Sequence, residues 1–166
     1  MSKAVKPVPE GFHTVTPHLT VRDAAKAIAF YKAAFGAQER NCLTAPDGRV
    51  VHAELKFGDS IVFLADEFPG MPGGTVAPET VGGRRTGGIN LYVEDADTLF
   101  EQAVRAGATP VMPVADQFWG DRHGAVLDPF GQLWSVSTHK EDLTEQEIER
   151  RSQEFFARMA AQQKTA

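Results

Sequence analysis

The chain has 166 residues, 42% of them hydrophobic and 23% charged, a composition that suits one compact domain. Its formal net charge of -5 and its lack of a dense run of Lys and Arg argue against a nucleic-acid partner. The first residues contain no long apolar signal core, and no later stretch approaches the roughly 20 apolar residues needed to cross a bilayer. We therefore expect a cytoplasmic protein without a membrane partner.

The first repeating unit covers residues 13–66. It opens with an alternating strand, HTVTPHLTV, which is followed by a helix within residues 21–37. Asp23 is positioned to cap the first turn of this helix, and Gly36 can adopt the left-handed conformation that ends it. A strand hairpin is predicted in HAELKFGDSIVF. With one more strand before it, the unit has the order βαβββ.

The same order of elements returns over residues 86–139. GGINLYV predicts a strand, residues 93–108 predict a helix capped by Asp95 and Gly107, and GAVLDPFGQLWSV predicts a second hairpin. The two hairpins align if Pro129 is treated as an insertion. The chain is therefore predicted to contain two tandem βαβββ modules.

Two segments lie outside the repeat. Residues 67–85 are rich in Gly and Pro without periodicity, and they predict a linker between the modules. Residues 141–163 predict a helical tail, because Thr144 and Glu147 have the spacing of a capping box. The apolar residues of the tail fall mostly on one face, which we expect to pack on the same chain or on a partner subunit: Ile148, Phe155, Phe156 and Met159.

Three segments carry a resemblance to a known family: VRDAAKAIAFYKAAFGA, VEDADTLFEQAVRAGA and DPFGQLW. Together with the repeat, they resemble the vicinal oxygen chelate superfamily, which contains glyoxalase I, bleomycin-resistance proteins and extradiol dioxygenases. HAEL and FWGDRHGAVLDPFGQLWSV are similar to its PhnB-like, glyoxalase-like branch. The resemblance implies a single α+β domain whose two modules form an open, U-shaped barrel around a cavity, with the C-terminal helix added. It also implies a homodimer.

In metal-dependent members of that superfamily, the ligands come from the first and last strands of each module. The matching positions in this chain are Thr16, Gly88, Ser135 and either Val62 or, if the register slips by one residue, Phe63. Divalent metals favour imidazole and carboxylate ligands, which none of these residues supplies. We therefore expect neither a metal nor another cofactor.

Nearby histidines offer an alternative metal site. His18 lies on the same strand face as Thr16, and His52 shares a face with Glu54. Two histidines and one carboxylate form a chemically reasonable metal site if they converge. Without a metal, the same residues are candidates for binding a ligand directly.

A second group of candidates lies in QFWGDRHG and in the last strand. Trp119 offers a flat apolar surface, Arg122 a planar fork for a carboxylate or phosphate, and Asp121 and His123 can exchange protons. In a purely structural alternative, Asp121 and Arg122 pair with each other. The predicted ligand-binding residues are Thr16, His18, His52, Glu54, Trp119, Arg122, His123 and Ser135.

Two conspicuous side chains are assigned to packing instead. Trp134 alternates away from Ser135, so we expect it against a helix or a second subunit rather than in a pocket. Cys42 cannot form an internal disulfide because it is the single cysteine, and it is predicted to pack as a small hydrophobic residue.

Three classes of function follow from these patterns. The first is a protein that has lost the metal ligands and binds a small organic molecule in the barrel cavity. The second is a lyase, isomerase or dioxygenase-type enzyme that uses a shifted metal site or metal-free acid and base residues such as Glu54, His52 and His123. The third is a purely structural or regulatory dimer. The fold hosts several reactions, so it does not identify a substrate.

Overall fold

The computed structural model describes residues 7–70, 74–85 and 87–163. Both predicted modules are present in the order βαβββ. Module one contains β1 (His18–Val21), α1 (Ala24–Phe35), β2 (Gln38–Thr44), β3 (Val50–Phe57) and β4 (Ser60–Asp66). Module two contains β5 (Ile89–Tyr92), α2 (Ala96–Ala106), β6 (Thr109–Asp116), β7 (Asp121–Leu127) and β8 (Leu133–His139). A short 3-10 helix, Pro78–Val81, lies between them, and α3 (Glu145–Gln163) follows.

Each module forms a four-stranded mixed sheet. The strand order is β1-β4-β3-β2 in module one and β5-β8-β7-β6 in module two. In both sheets the first strand is parallel to the last strand of its module, and the other pairs are antiparallel. The α+β fold predicted from the repeat is therefore confirmed.

The predicted helix caps are also confirmed. Oδ1 of Asp23 accepts a hydrogen bond from the Lys26 backbone N–H at 3.0 Å, and Oδ1 of Asp95 accepts one from the Thr98 N–H at 3.0 Å. The helices α1 and α2 then end at glycines with left-handed backbones, at a φ of 66° and 116° respectively. These local signals fix the lengths of both helices.

The core lies between the helices and the sheets. Trp134 is completely buried, its ring centroid 4.6 Å from Phe35 and 5.2 Å from Phe57, as its alternation with Ser135 predicted. The helices also touch each other, because Gln102 of α2 donates hydrogen bonds to the backbone carbonyls of the last turn of α1. The two modules therefore share one core.

The linker does more than connect the modules. Thr75 forms a hydrogen bond with Thr20 of β1 through their hydroxyl groups. Glu67 accepts hydrogen bonds from the Ala77 backbone N–H at 2.6 Å and from the Thr80 hydroxyl at 2.9 Å. Residues 75–80 are thereby held near the β1 edge of the first sheet.

Cys42 is exposed, contrary to the prediction, because β2 is an edge strand with every residue exposed. The tail helix contacts its own chain: the ring of Phe155 lies 5.3 Å from that of Phe118. Its neighbour Phe156 remains 59% exposed and Met159 42% exposed.

Within the described ranges, no helix combines the length and the apolar character needed to cross a membrane.

Candidate functional site

A cavity of about 600 Å³ lies between the β1 edge of module one and the β5 edge of module two. The linker covers part of it, so three parts of the chain form its walls. The volume matches that of sites for small organic molecules. Most of the lining is apolar, and the polar side chains in it are His18, Thr20, Thr75, Arg84, Arg85 and Gln132. We call this space the inter-module cavity.

Hydrogen bonds fix part of the polar wall. The buried Thr20 hydroxyl is paired with Thr75, and Gln132 donates from Nε2 to the Thr20 carbonyl at 3.1 Å. Gln132 belongs to module two, so its amide links the two sides of the cavity. This wall is therefore formed before a ligand enters.

A second cavity of about 510 Å³ lies beside β5 and the start of β4. Apolar side chains such as Phe35, Phe57 and Leu99 contribute to its lining, and Asp59 is its one charged residue among those described. Because none of the predicted ligand-binding residues lines the second cavity, whereas His18 lines the inter-module cavity, the inter-module cavity is the stronger candidate site.

Of the predicted histidines of module one, His18 lines the inter-module cavity, and His52 lies on β3 of the same sheet. His18 and His52 flank Phe63, with ring centroids 6.4 Å and 4.6 Å from it. Nε2 of His52 is 3.7 Å from Oε1 of Glu54. Partial burial, and then the nearby His52, lower the pKa of His18. The three predicted residues therefore share one face of the first sheet.

The structure does not gather these residues into a metal site. Across the described ranges, no three His, Cys, Asp or Glu side chains are arranged to hold a metal ion. The phenyl ring of Phe63 occupies the space between the two imidazoles. The alternative of a shifted site formed by His18, His52 and Glu54 is therefore not supported.

In module two, His123 heads a chain of hydrogen bonds. Its Nδ1 lies 2.8 Å from Oγ of Ser137, and that hydroxyl donates to Oδ1 of Asn90 at 2.9 Å. Trp119 lies beside the imidazole, with ring centroids 5.6 Å apart. Burial lowers the pKa of His123, while Asp121 opposes this effect. His123 is therefore held as a neutral, oriented imidazole at neutral pH.

Asp121 has a structural role. Its carboxylate is buried and accepts hydrogen bonds from the Tyr92 hydroxyl at 2.7 Å, His139 Nδ1 at 2.8 Å and Trp119 Nε1 at 3.1 Å. Burial raises the pKa of Asp121, but these hydrogen bonds outweigh burial and bring the pKa below its ordinary value. The group therefore stays ionised and anchors the start of β7.

Arg122 does not belong with the other candidates. It neighbours His123 in β7, so its side chain leaves the opposite face of the sheet. There it binds Asp97 of α2, with Nη2 to Oδ1 at 2.7 Å, and Asp116 of β6 at 3.1 Å. The alternative in which Asp121 pairs with Arg122 is therefore wrong, and Arg122 lies apart from the other candidate residues.

A sequence profile of the Glyoxalase/Bleomycin resistance protein/Dioxygenase superfamily matches residues 11–136. The chain belongs to this superfamily. An uncharacterized protein of Mycobacterium bovis is 43% identical over 136 residues, which cover 81% of this chain and 89% of that protein.

Solved structures of other proteins share the fold. TioX from Micromonospora superposes with a TM-score of 0.59 and 28% identity, over 76% of this chain and 98% of TioX. A PhnB protein from Bacillus cereus, described as a putative 3-demethylubiquinone-9 3-methyltransferase, superposes with a TM-score of 0.57 over 76% of this chain and 99% of its own. At 17% identity, that similarity shows the fold alone.

The strand registers locate the superfamily's metal positions. Phe63 pairs with His18 of β1 just as Ser135 pairs with Asn90 of β5, so Phe63 is the counterpart of Ser135. Val62, the other residue considered, is buried in the core. Thr16 and Gly88 come two residues before His18 and Asn90.

These four positions do not fit a metal. They supply two hydroxyl groups, a phenyl ring and a glycine, whereas divalent ions of this kind need imidazole or carboxylate ligands. These four residues therefore do not provide the ligands that a catalytic divalent metal ion needs.

The site found in the structure differs from the predicted one. Among the described residues that line the inter-module cavity, His18 is the one that was predicted from the sequence to bind a ligand. Thr16 precedes β1, Trp119 lies in the turn between β6 and β7, and His123 and Ser135 belong to the second sheet. Thr20, Thr75, Arg84 and Arg85 also line the cavity, but they were not among the residues predicted from the sequence. Two adjacent arginines in the Gly- and Pro-rich linker of an acidic chain were the available signal.

Proposed function

We propose that this member of the superfamily binds a small organic molecule in the inter-module cavity without a metal. The main support for this proposal is the cavity itself, which has a volume of about 600 Å³ and is lined by both modules and the linker. Apolar walls favour burial of a hydrocarbon or aromatic body, and a few fixed polar groups orient it. The hydrogen-bonded wall around Thr20 supports this role because little ordering is required on binding.

The chemistry at the metal positions favours binding over metal-dependent catalysis. The superfamily's description covers resistance proteins as well as dioxygenases, so membership allows either activity. Ser135 and its counterpart Phe63 provide no ligand that would hold a catalytic metal. A binding protein needs neither position.

A blocked cavity tests the proposal. Val76 lines the cavity and is 51% exposed, so Val76→Trp fills the space without disturbing the core. Val111→Trp is the matched control, because Val111 is 52% exposed on β6, away from the cavity. We expect the neutral probe naphthalene-2-methanol to bind the wild type and the control in calorimetric titrations, and to lose binding in Val76→Trp. Equal binding by the two variants would reject this cavity as the site.

A second candidate function is metal-free acid and base catalysis by His123. Because the Ser137 hydroxyl donates to Asn90, it can only accept from the imidazole. Nδ1 therefore carries the proton, and Nε2 is left as a proton acceptor. Nitrogen-15 NMR should show an unprotonated Nε2 in the wild type and in Ser135→Ala, and a mixture of tautomers in Ser137→Ala. A protonated Nε2 in the wild type would exclude this role.

We also propose a homodimer, the assembly that the family resemblance implies. Phe156 and Met159 leave an apolar patch on α3, and the edge strand β2 is exposed along its length. Apolar patches and open strand edges of this kind are usually covered by a partner. A second copy of the chain would cover both.

A further inference from the structure

We propose that the ligand of the inter-module cavity is a small organic anion, whose carboxylate or phosphoryl group is bound by Arg84 and Arg85. This inference rests on the proposed function, namely that the cavity binds a small molecule. It adds the chemical class of that molecule and assigns its recognition to the linker.

The side chains that line the inter-module cavity carry positive charge. The chain as a whole has 22 acidic and 17 basic residues, but the described cavity lining contains two arginines, one histidine and no Asp or Glu. A negative group that enters the cavity therefore meets Arg84, Arg85 and His18 without a competing carboxylate. Such a local reversal of sign attracts anions and repels cations.

The acidic groups of the same region are engaged elsewhere. Glu67 accepts hydrogen bonds from Ala77 and Thr80, and a carboxylate oxygen of Glu79 lies 3.9 Å from Nε of Arg22. None of the carboxylates described in the structure forms an ion pair with Arg84 or Arg85. The two guanidinium groups are thus available, and their planar forks suit carboxylate and phosphoryl oxygens.

The remaining walls define the rest of the ligand. Leu19, Val76, Ile89 and Leu133 contribute apolar surface, and the hydroxyl of Thr20 is already paired with Thr75. Few polar groups are left for a neutral, sugar-like molecule. The arrangement fits a molecule with an apolar body and one anionic end near the two arginines.

Two probes that share a naphthalene ring distinguish the contribution of the anionic group to binding from that of the apolar ring. We expect 2-naphthoate to bind the wild type more tightly than naphthalene-2-methanol does, with an affinity that falls as salt is added. The double variant Arg84→Gln/Arg85→Gln should weaken 2-naphthoate by about tenfold and leave the alcohol unchanged. The control Arg105→Gln/Arg158→Gln removes the same charge from exposed helix positions and should change neither affinity.

The possible outcomes distinguish this inference from the proposed function. If the alcohol binds in the cavity and the charged probe binds no more tightly, the anion inference is wrong and the proposed function stands. Equal weakening of 2-naphthoate by both double variants would also overturn the inference, because the effect would be one of net charge. If Val76→Trp changes the affinity of neither probe, the proposed function fails and the inference fails with it.

Discussion

Tyr31 and Asp128 connect the two modules through a buried hydrogen bond, in which the phenol donates to Oδ2 at 2.7 Å. Tyr31 lies in α1 and Asp128 in the turn between β7 and β8. The same carboxylate accepts from the indole of Trp134 and from the backbone N–H groups of Phe130 and Gln132. The DPFG sequence, which carries much of the family resemblance, therefore has a structural role here.

Removal of the Tyr31 hydroxyl should destabilise the protein. Tyr31→Phe leaves a buried carboxylate of Asp128 with one donor fewer, and we expect the free energy of unfolding in urea to fall by about 1–3 kcal/mol. Ser60→Ala is the control: its hydroxyl also donates to an aspartate, Asp59, at 2.9 Å, but both residues are exposed. An equal loss in the two variants would contradict a special role of the buried pair.

Metal content should be low. In protein purified without chelators or a histidine tag, elemental analysis should find no near-stoichiometric nickel, zinc, manganese or iron, also after incubation with these ions. The reason is the donor set at Thr16, Phe63, Gly88 and Ser135. If a metal is bound and His52→Ala removes it, the metal-free proposal is wrong and the histidines of module one hold the ion.

The stability contributed by His139 should depend on pH. Hydrogen bonds to Asp142 and Asp121 raise the pKa of His139 above its ordinary value of 6.5. A histidine whose pKa is raised in the folded state stabilises the folded protein. This stabilisation is complete at pH values below the pKa of the histidine in the unfolded chain, and it is lost as the pH rises through the pKa in the folded protein. His139→Gln should therefore lower the Tm more at about pH 6 than at about pH 9.

His13→Gln provides a control for the substitution, because His13 is an exposed histidine outside the strands for which the structure describes no hydrogen bond or ion pair. Its substitution should have little effect on the Tm. A loss in His139→Gln that grows toward alkaline pH would have the wrong sign and would contradict the assignment.

The tail should contribute to dimer formation. Deletion of residues 141–166 should raise the dissociation constant of the dimer measured by sedimentation velocity. A finer test is Phe156→Ser/Met159→Ser, which removes the exposed apolar patch. It keeps the contact between Phe155 and Phe118 at 5.3 Å and loses the longer one between Phe156 and Phe118 at 6.3 Å. Gln146→Ser/Gln153→Ser serves as a control on the same helix. An unchanged dimer in the deletion would assign the helix an intrachain role only.

The local features of the fold could be predicted from the sequence. Asp23 and Asp95 signal helix starts through contacts with residues three positions away, and Gly36 and Gly107 end the same helices. Such signals lie within a few residues of one another. Trp134 could be assigned to the core because strand alternation decides its direction.

Long-range features could not be predicted in this way. Thr20 contacts Thr75, which is 55 residues away, and Gln132, which is 112 residues away, so no local pattern reveals this wall of the cavity. The choice between Val62 and Phe63 depends on the lengths of two turns, since β3 and β4 are joined by residues 58–59 and β7 and β8 by residues 128–132. One inserted proline does not account for that difference.

The linker also makes the two ends of the inter-module cavity unequal. Two tandem copies of one module would enclose a groove with twofold pseudosymmetry, in which a molecule could lie in either direction. The connecting segment occurs once per chain, however, and it covers the groove beside β1. The proposed ligand would therefore have two distinguishable ends in the cavity, and substitutions in residues 74–85 could change its orientation or identity while both sheets keep their sequence.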